Sequence, residues 1–400
     1  MHVPGRPPVM LDIVEEHFDE LDFLHEQREG NLFTPDWRLA DLAWHEERAE
    51  AHLDGLRLAE SWAVDIAEPR LCSGETATAL AATLVLCADE SGAHAAKVID
   101  ALRTADPPVV DGIRRALRHG VPATIGPVLR ELAAARDPLR AAAAIDVLAF
   151  VRTKDVDARP PLDAPVPLAF ELAVGAAGRL GALDAADVAA ALERAEPRAR
   201  RAALRAAALA GVPRLAELCR AAATRPTDPD PEALSMLGTL GDAADEAILR
   251  AAMQRPELAR TAVAALGALG RPTAVPLLIE LTRDDDLGVP AALAYQRITG
   301  FRDAFGEKPW PRPEIGEGED ENEDLPPAPD AIAADWRRRE AHLAKDRTWQ
   351  FGAEIPPDRL PTSFDELPLH ARADVYWRLR GRRVTVPDVE LEAMALRQRL

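Results

Sequence analysis

An all-α solenoid of stacked helix pairs is the fold class the sequence predicts, and three observations carry it. Glycines recur as a ladder, Gly181, Gly211, Gly241, Gly270 and Gly300, at separations of 30, 30, 29 and 30 residues. A fixed period of this length marks stacked supersecondary units. Each rung closes an Ala/Leu-rich run, as in Leu234–Gly241 and Val263–Gly270. Aromatic residues are scarce in the periodic region: residues 101–300 hold only Phe150, Phe170 and Tyr295, while all seven tryptophans lie outside it. Small aliphatic side chains suit thin, closely stacked helical layers.

Before the ladder, Met10, Val14, Phe18, Leu21 and Leu24 form a helical stripe with acids on the other face. Thr34-Pro35 reads as the next helix start, a threonine N-cap followed by proline at the first position. The apolar series Leu39, Leu42, Leu53, Leu56, Trp62, Ile66 continues it, with a break expected at Gly55 and an end at Pro69. Residues 1–70 are therefore an acidic helical cap.

The repeats occupy residues 71–300. Acid–proline pairs recur where a helix should start, at Asp106-Pro107, Asp137-Pro138, Glu196-Pro197 and Asp230-Pro231, and Arg255-Pro256 takes the same place. An acidic N-cap accepts free N–H groups, and proline fixes the entry angle. Each ladder glycine is the residue able to take the left-handed conformation past a helix end. Gly92 and Gly120 extend the ladder backwards, and Val151 stands where a rung is missing. The proline-rich stretch 151–167 is an irregular repeat or a seam. Second helices read most plainly in Ala274–Leu281, then Val212–Leu218 and Val121–Leu129.

Small–Leu–Gly–x–Leu–Gly closing one helix, with Val-Pro-x-Leu opening the next, resembles the bacterial HEAT-like repeat. The resemblance implies a right-handed superhelix of about eight helix pairs, ending at Ala294-Tyr-Gln-Arg-Ile-Thr-Gly300. The whole-chain plan is similar to a bacterial family of HEAT-like proteins of ~400 residues, some encoded near type VI secretion genes. The Trp-bearing N-terminal helices, the Ile-Thr-Gly end and the Arg378-Leu-Arg380 tail carry that likeness.

Beyond the repeats, residues 301–330 read as a linker: Glu314–Asp324 holds seven acids and no base, a composition that cannot pack a core. Residues 331–400 read as a small helical module. Its parts are a helix over Ala328–Ala344 anchored by Trp336 and Leu343, an extended piece at Thr348–Phe351, a helix over Leu367–Arg380 and another over Val389–Leu400.

Charge is segregated. Residues 1–100 carry −14, residues 101–300 are neutral and residues 301–324 carry −6, within a net −19. An overall negative field disfavours nucleic acid and anionic membrane. Cys72, Cys87 and Cys219 are scattered without metal or disulfide spacing, and no stretch resembles a leader or a membrane span. A soluble protein of the reducing cytoplasm is the expectation.

No catalytic, cofactor-binding or metal residues are assigned. The pairs His25-Glu26 and His45-Glu46 resemble those by which HEAT-like deoxyhypusine hydroxylases hold iron, but they lie ahead of the repeats and do not recur in them. His17, His25, His45 and His52 match no metal-ligand spacing. Arg194, Arg198, Arg201 and Arg205 step at helical spacing and form a guanidinium stripe, with a smaller one at Arg114, Arg115 and Arg118. Trp336, Trp349, Tyr376 and Trp377, near arginine runs, are residue types that anchor interfaces. These four arginines and four aromatics are the candidate interaction surface of a non-catalytic adaptor or scaffold. A chaperone-like role beside a secretion system is the setting the resemblance implies. The alternative is a HEAT-like enzyme or nucleic-acid binder, glycosylase-like or lyase-like, with an Arg-lined concave face.

Overall fold

The computed structural model describes residues 10–398 except 36, 89–93, 153–155, 157–159 and 307–324. The described residues are almost wholly helical, with a single two-stranded hairpin. The chain divides into two units. Unit 1 comprises residues 1–210, 368–370 and 387–400, and unit 2 comprises residues 211–367 and 371–386. Gly92 and the acidic stretch Glu314–Asp324 lie outside the described residues.

Unit 1 opens with α1 (Leu11–Asn31), α2 (Leu39–Ala59) and α3 (Ser61–Arg70). The stripe of Val14, Phe18, Leu21 and Leu24 is buried, as expected of an amphipathic helix. The expected start at Thr34-Pro35 is displaced to Leu39. The Thr34 hydroxyl instead donates to the Asn31 carbonyl, closing the turn after α1, and Asp41 accepts the Arg38 N–H to begin α2. No break occurs at Gly55. A Cβ there would meet the His17 ring at 2.8 Å, so this glycine serves close approach rather than helix ending. The chain turns instead at Glu60, with φ 49°.

The repeat helices of unit 1 are α4 (Thr76–Cys87), α5 (Ala95–Thr104), α6 (Pro107–His119), α7 (Gly126–Ala133), α8 (Pro138–Phe150), α9 (Pro167–Leu180), α10 (Ala185–Ala191) and α11 (Pro197–Ala210). Helices α4, α6, α8, α9 and α11 pack each on the next, and α5, α7 and α10 flank them. The stack is tight because its contact faces are small: a Cβ on Gly178 of α9 would lie 2.8 Å from Ala206 of α11. After α8, among the described residues up to 166, no second helix forms, so the irregularity expected past Val151 is present.

The repeat helices of unit 2 are α12 (Leu215–Ala223), α13 (Pro231–Leu240), α14 (Asp245–Ala252), α15 (Pro256–Leu269), α16 (Val275–Leu281) and α17 (Gly288–Thr299). Helices α13, α15 and α17 pack in series, and Gly238 and Gly267 admit Ala265 and Ala294 of the neighbouring helix. Consecutive helices packed in this way make the all-α, solenoid-like fold. All five proline-led starts fall where the sequence puts them; the Asp137 carboxylate, for example, accepts from the N–H groups of Leu139 and Arg140.

In unit 2 the ladder has a second use. Gly270 (φ 74°) and Gly300 (φ 72°) take the left-handed conformation, and chain from the C-terminal region lies against both. Strands β1 (Thr348–Gln350) and β2 (Ala353–Ile355) form an antiparallel hairpin. The Trp349 N–H donates to the Gly270 carbonyl, and those of Phe351 and Gly352 donate to Arg297 and Ile298. A Cβ on Gly270 would stand 2.4 Å from the Trp349 carbonyl oxygen. Gly241 departs from the ladder expectation. Its φ is −64° and it is extended, and its carbonyl accepts from Arg382 at 2.5 Å.

The remaining helices are α18 (Pro329–Arg339), α19 (Leu369–Gly381) and α20 (Ala395–Gln398). Residues 331–400 do not close on themselves as one helical module: they contain the hairpin, and they contribute to both units. Of the expected helix over Val389–Leu400, the described residues form only α20. The Glu392 and Ala393 carbonyls accept from Arg28 of α1 instead of from a helical N–H, and the Ala395 N–H at the start of α20 donates to Glu46 of α2.

Candidate functional site

The predicted arginine stripe is only partly assembled. Arg194 lies in the turn before α11, not on it; its guanidinium sits 4.1 Å from the Phe170 ring centroid and donates to the Ala164 carbonyl. Arg198, Arg201 and Arg205 do share α11. Arg198 is exposed and 4.0 Å from Glu171, Arg201 is exposed, and Arg205 stacks over Phe33 at 5.2 Å. The row therefore does not present four clear guanidiniums to one ligand.

Three of the four aromatic candidates are core. Trp336, Tyr376 and Trp377 are buried, at 7%, 0% and 8% exposure. Trp336 packs with Tyr295, Ile298, Phe301 and Leu343. Trp349 is half-buried and hands its indole N–H to the Ala344 carbonyl. Neighbouring arginines are also engaged internally. Arg378 donates to the carbonyls of Gly238, Thr239 and Ala268, so it caps the ends of α13 and α15. Burial, and then the nearby Arg382, lowers its guanidinium to about 9.

The second arginine group is neutralised from within. Arg114 and Arg118 of α6 and Arg179 of α9 converge on the fully buried Asp146 of α8, at 2.8, 2.7 and 3.1 Å. Burial alone would raise that carboxyl, but the guanidiniums of Arg118, Arg114 and Arg179 outweigh it and hold it well below the usual carboxylate range. The C-terminal stretch of unit 1 completes the cluster: Glu390 pairs with Arg179 at 2.8 Å, and Glu392 pairs with Arg118 and Arg179. Against the penalty of burial, those arginines pull Glu392 down to about 2.

An open cleft of about 930 Å³ lies along α1, a volume within the range of ligand sites. Its long wall is α1, which contributes Asp19, Asp22, Phe23, Glu26 and Glu29; Glu75 and Thr76 at the start of α4, and Arg115 of α6, face them. Asp19 is paired with Arg70, and Glu29 with Arg28 and Arg115. Among the described residues no cation is paired with Asp22, Glu26 or Glu75. Partial burial raises the Asp22 carboxyl, and Glu26, Glu75 and Asp19 add to the rise against a hydrogen bond from Thr78 at 2.7 Å. Phe23 stands 51% exposed in the same wall. The site thus combines unneutralised negative charge with one exposed aromatic ring.

The four N-terminal histidines are dispersed. His45 bonds the Leu24 carbonyl at 2.7 Å, His17 and His52 meet through their Nδ1 atoms at 3.0 Å, and His25 is buried beside the cleft. Among the described residues no three His, Cys, Asp or Glu side chains are grouped to hold a metal, and no helix is long and apolar enough to cross a membrane. No family model matches the chain, and no curated protein aligns with it significantly.

Proposed function

We propose that the protein is a non-catalytic binding scaffold whose docking surface is the acidic cleft on the N-terminal helices, with a cationic segment of another protein as its ligand. The observation that carries this reading is the set of unpaired carboxylates, Asp22, Glu26 and Glu75, gathered round the exposed Phe23 ring. Like charges held together raise one another's cost of ionisation, and a lysine or arginine side chain entering the cleft relieves it. An aromatic ring supplies an apolar and cation–π contact for the same side chain. The solenoid-like stack then acts as the rigid frame that holds α1 against α4 and α6. An accessory or chaperone-like role beside a secretion system is one setting for such a scaffold.

A nucleic-acid reading is disfavoured. It needs guanidiniums available to phosphate, and Arg114, Arg118 and Arg179 are already committed to Asp146. The test is affinity capture from the native cell with the wild-type chain and with Asp22→Lys/Glu26→Lys. Protein partners retained by the first, lost from the second and released by moderate salt are expected. Equal capture by both, or recovery of nucleic acid alone, contradicts the reading.

A further inference from the structure

The arginine cluster of α6, α8 and α9 is held by a segment far away in sequence, and the way it is held has a pattern. Asp388, Glu390 and Glu392 occupy every second position of the stretch before α20. They are read in order by Arg152 just past α8, at 2.6 Å, by Arg179 of α9, and by Arg118 of α6. Backbone groups add to the grip: Arg28 donates to the Glu392 and Ala393 carbonyls at 2.9 and 3.1 Å, and the Ala395 N–H donates to Glu46 at 2.7 Å. Apolar anchoring is slight. Val389, Ala393 and Ala395 are buried, whereas Leu396 is 78% exposed. Charge-assisted hydrogen bonds carry most of this contact, which makes it selective and sensitive to salt.

We propose that this face of unit 1 is a receptor for an acidic chain segment with carboxylates at alternate positions, and that residues 388–395 are its tethered occupant. The segment that displaces them belongs to a partner protein and carries the same Asp-x-Glu-x-Glu spacing, followed by small residues. The tether gives the internal segment an effective concentration in the millimolar range, so an outside segment binds only when it matches better or the internal one is weakened. This face adjoins the acidic cleft at the Arg28–Glu29 pair but selects the opposite charge.

A fluorescent peptide spanning residues 387–398 tests the proposal by titration into the full chain and into the full chain carrying Glu390→Ala/Glu392→Ala. The expected result is binding to the double variant at least about tenfold tighter than to wild type. It should weaken with added salt and be abolished when the peptide's own two glutamates become alanine. A folded double variant that does not bind the peptide overturns the proposal. If the double variant fails to fold, hydrogen exchange of wild type decides: excess peptide should speed exchange of the amides of residues 388–396, and unchanged exchange overturns the proposal. Dimerisation of wild type that excess peptide reverses would instead assign the face to a second copy's tail, and would also overturn it.

Discussion

Three histidines of unit 1 are held below their ordinary pKa. His25 is pushed down to about 3 by burial and then by Arg28 and His45, and burial likewise lowers His52 and His119. Their neutral forms belong to the fold, so as pH falls below about 6.5 the unfolded chain takes up protons that the folded chain refuses. The stability these groups contribute is complete above about 6.5 and is lost as pH drops; for His25 the slope is at most ~1.4 kcal/mol per pH unit, down to the folded value. Urea midpoints measured near pH 7.5 and near pH 5.5 should therefore fall at the lower pH, and a midpoint that holds or rises would contradict the assignment. Such partners are poorly legible in sequence. Arg118 meets Asp146 across 28 residues and Glu392 across 274, and nothing in the local pattern of α6 distinguishes a solvated arginine stripe from a buried one. The acidic cleft did leave a signal: Asp19, Asp22, Glu26 and Glu29 step by three, four and three residues, which puts them on one face of α1.

Among the elements, those specified locally were the ones the sequence predicted well. Proline at the first helical position set the starts of α6, α8, α11, α13 and α15, and glycine past the last turn set the ends of α9, α11, α15 and α17. Elements fixed by tertiary contact were misread. Val389–Met394 is not helical, and the Arg28 guanidinium takes its Glu392 and Ala393 carbonyls; the start at Thr34 moved to Leu39. The ladder glycines are not equivalent either. Gly181 and Gly270 share the left-handed conformation, but a Cβ would meet nothing within 4 Å at Gly181 and the Trp349 carbonyl at Gly270. Gly181→Ala should cost about 1 kcal/mol, the conformational term alone, whereas Gly270→Ala should cost roughly 2–4 kcal/mol because the hairpin must also move. Urea denaturation of the two variants separates them, and equal costs would remove the hairpin from the account of the ladder.

For the whole molecule, the segregation of charge read from the sequence agrees with where binding is proposed. The N-terminal hundred residues carry −14 and contain most of the cleft, while in the neutral repeat region Arg114, Arg118 and Arg179 are closed onto the buried Asp146. The aromatic residues misled because tryptophan and tyrosine serve cores and interfaces alike; burial separates the two uses, and Trp336, Tyr376 and Trp377 fall to the core. Phe23, which composition did not single out, is the exposed ring in the cleft wall. The most direct measurement replaces Phe23, and separately the exposed Arg201 of α11, with a photo-crosslinking residue in the full chain in its native cell. The account predicts a discrete protein adduct from position 23 that disappears when Asp22→Lys/Glu26→Lys is added, and none from position 201. An adduct from position 201 with none from position 23 would contradict it.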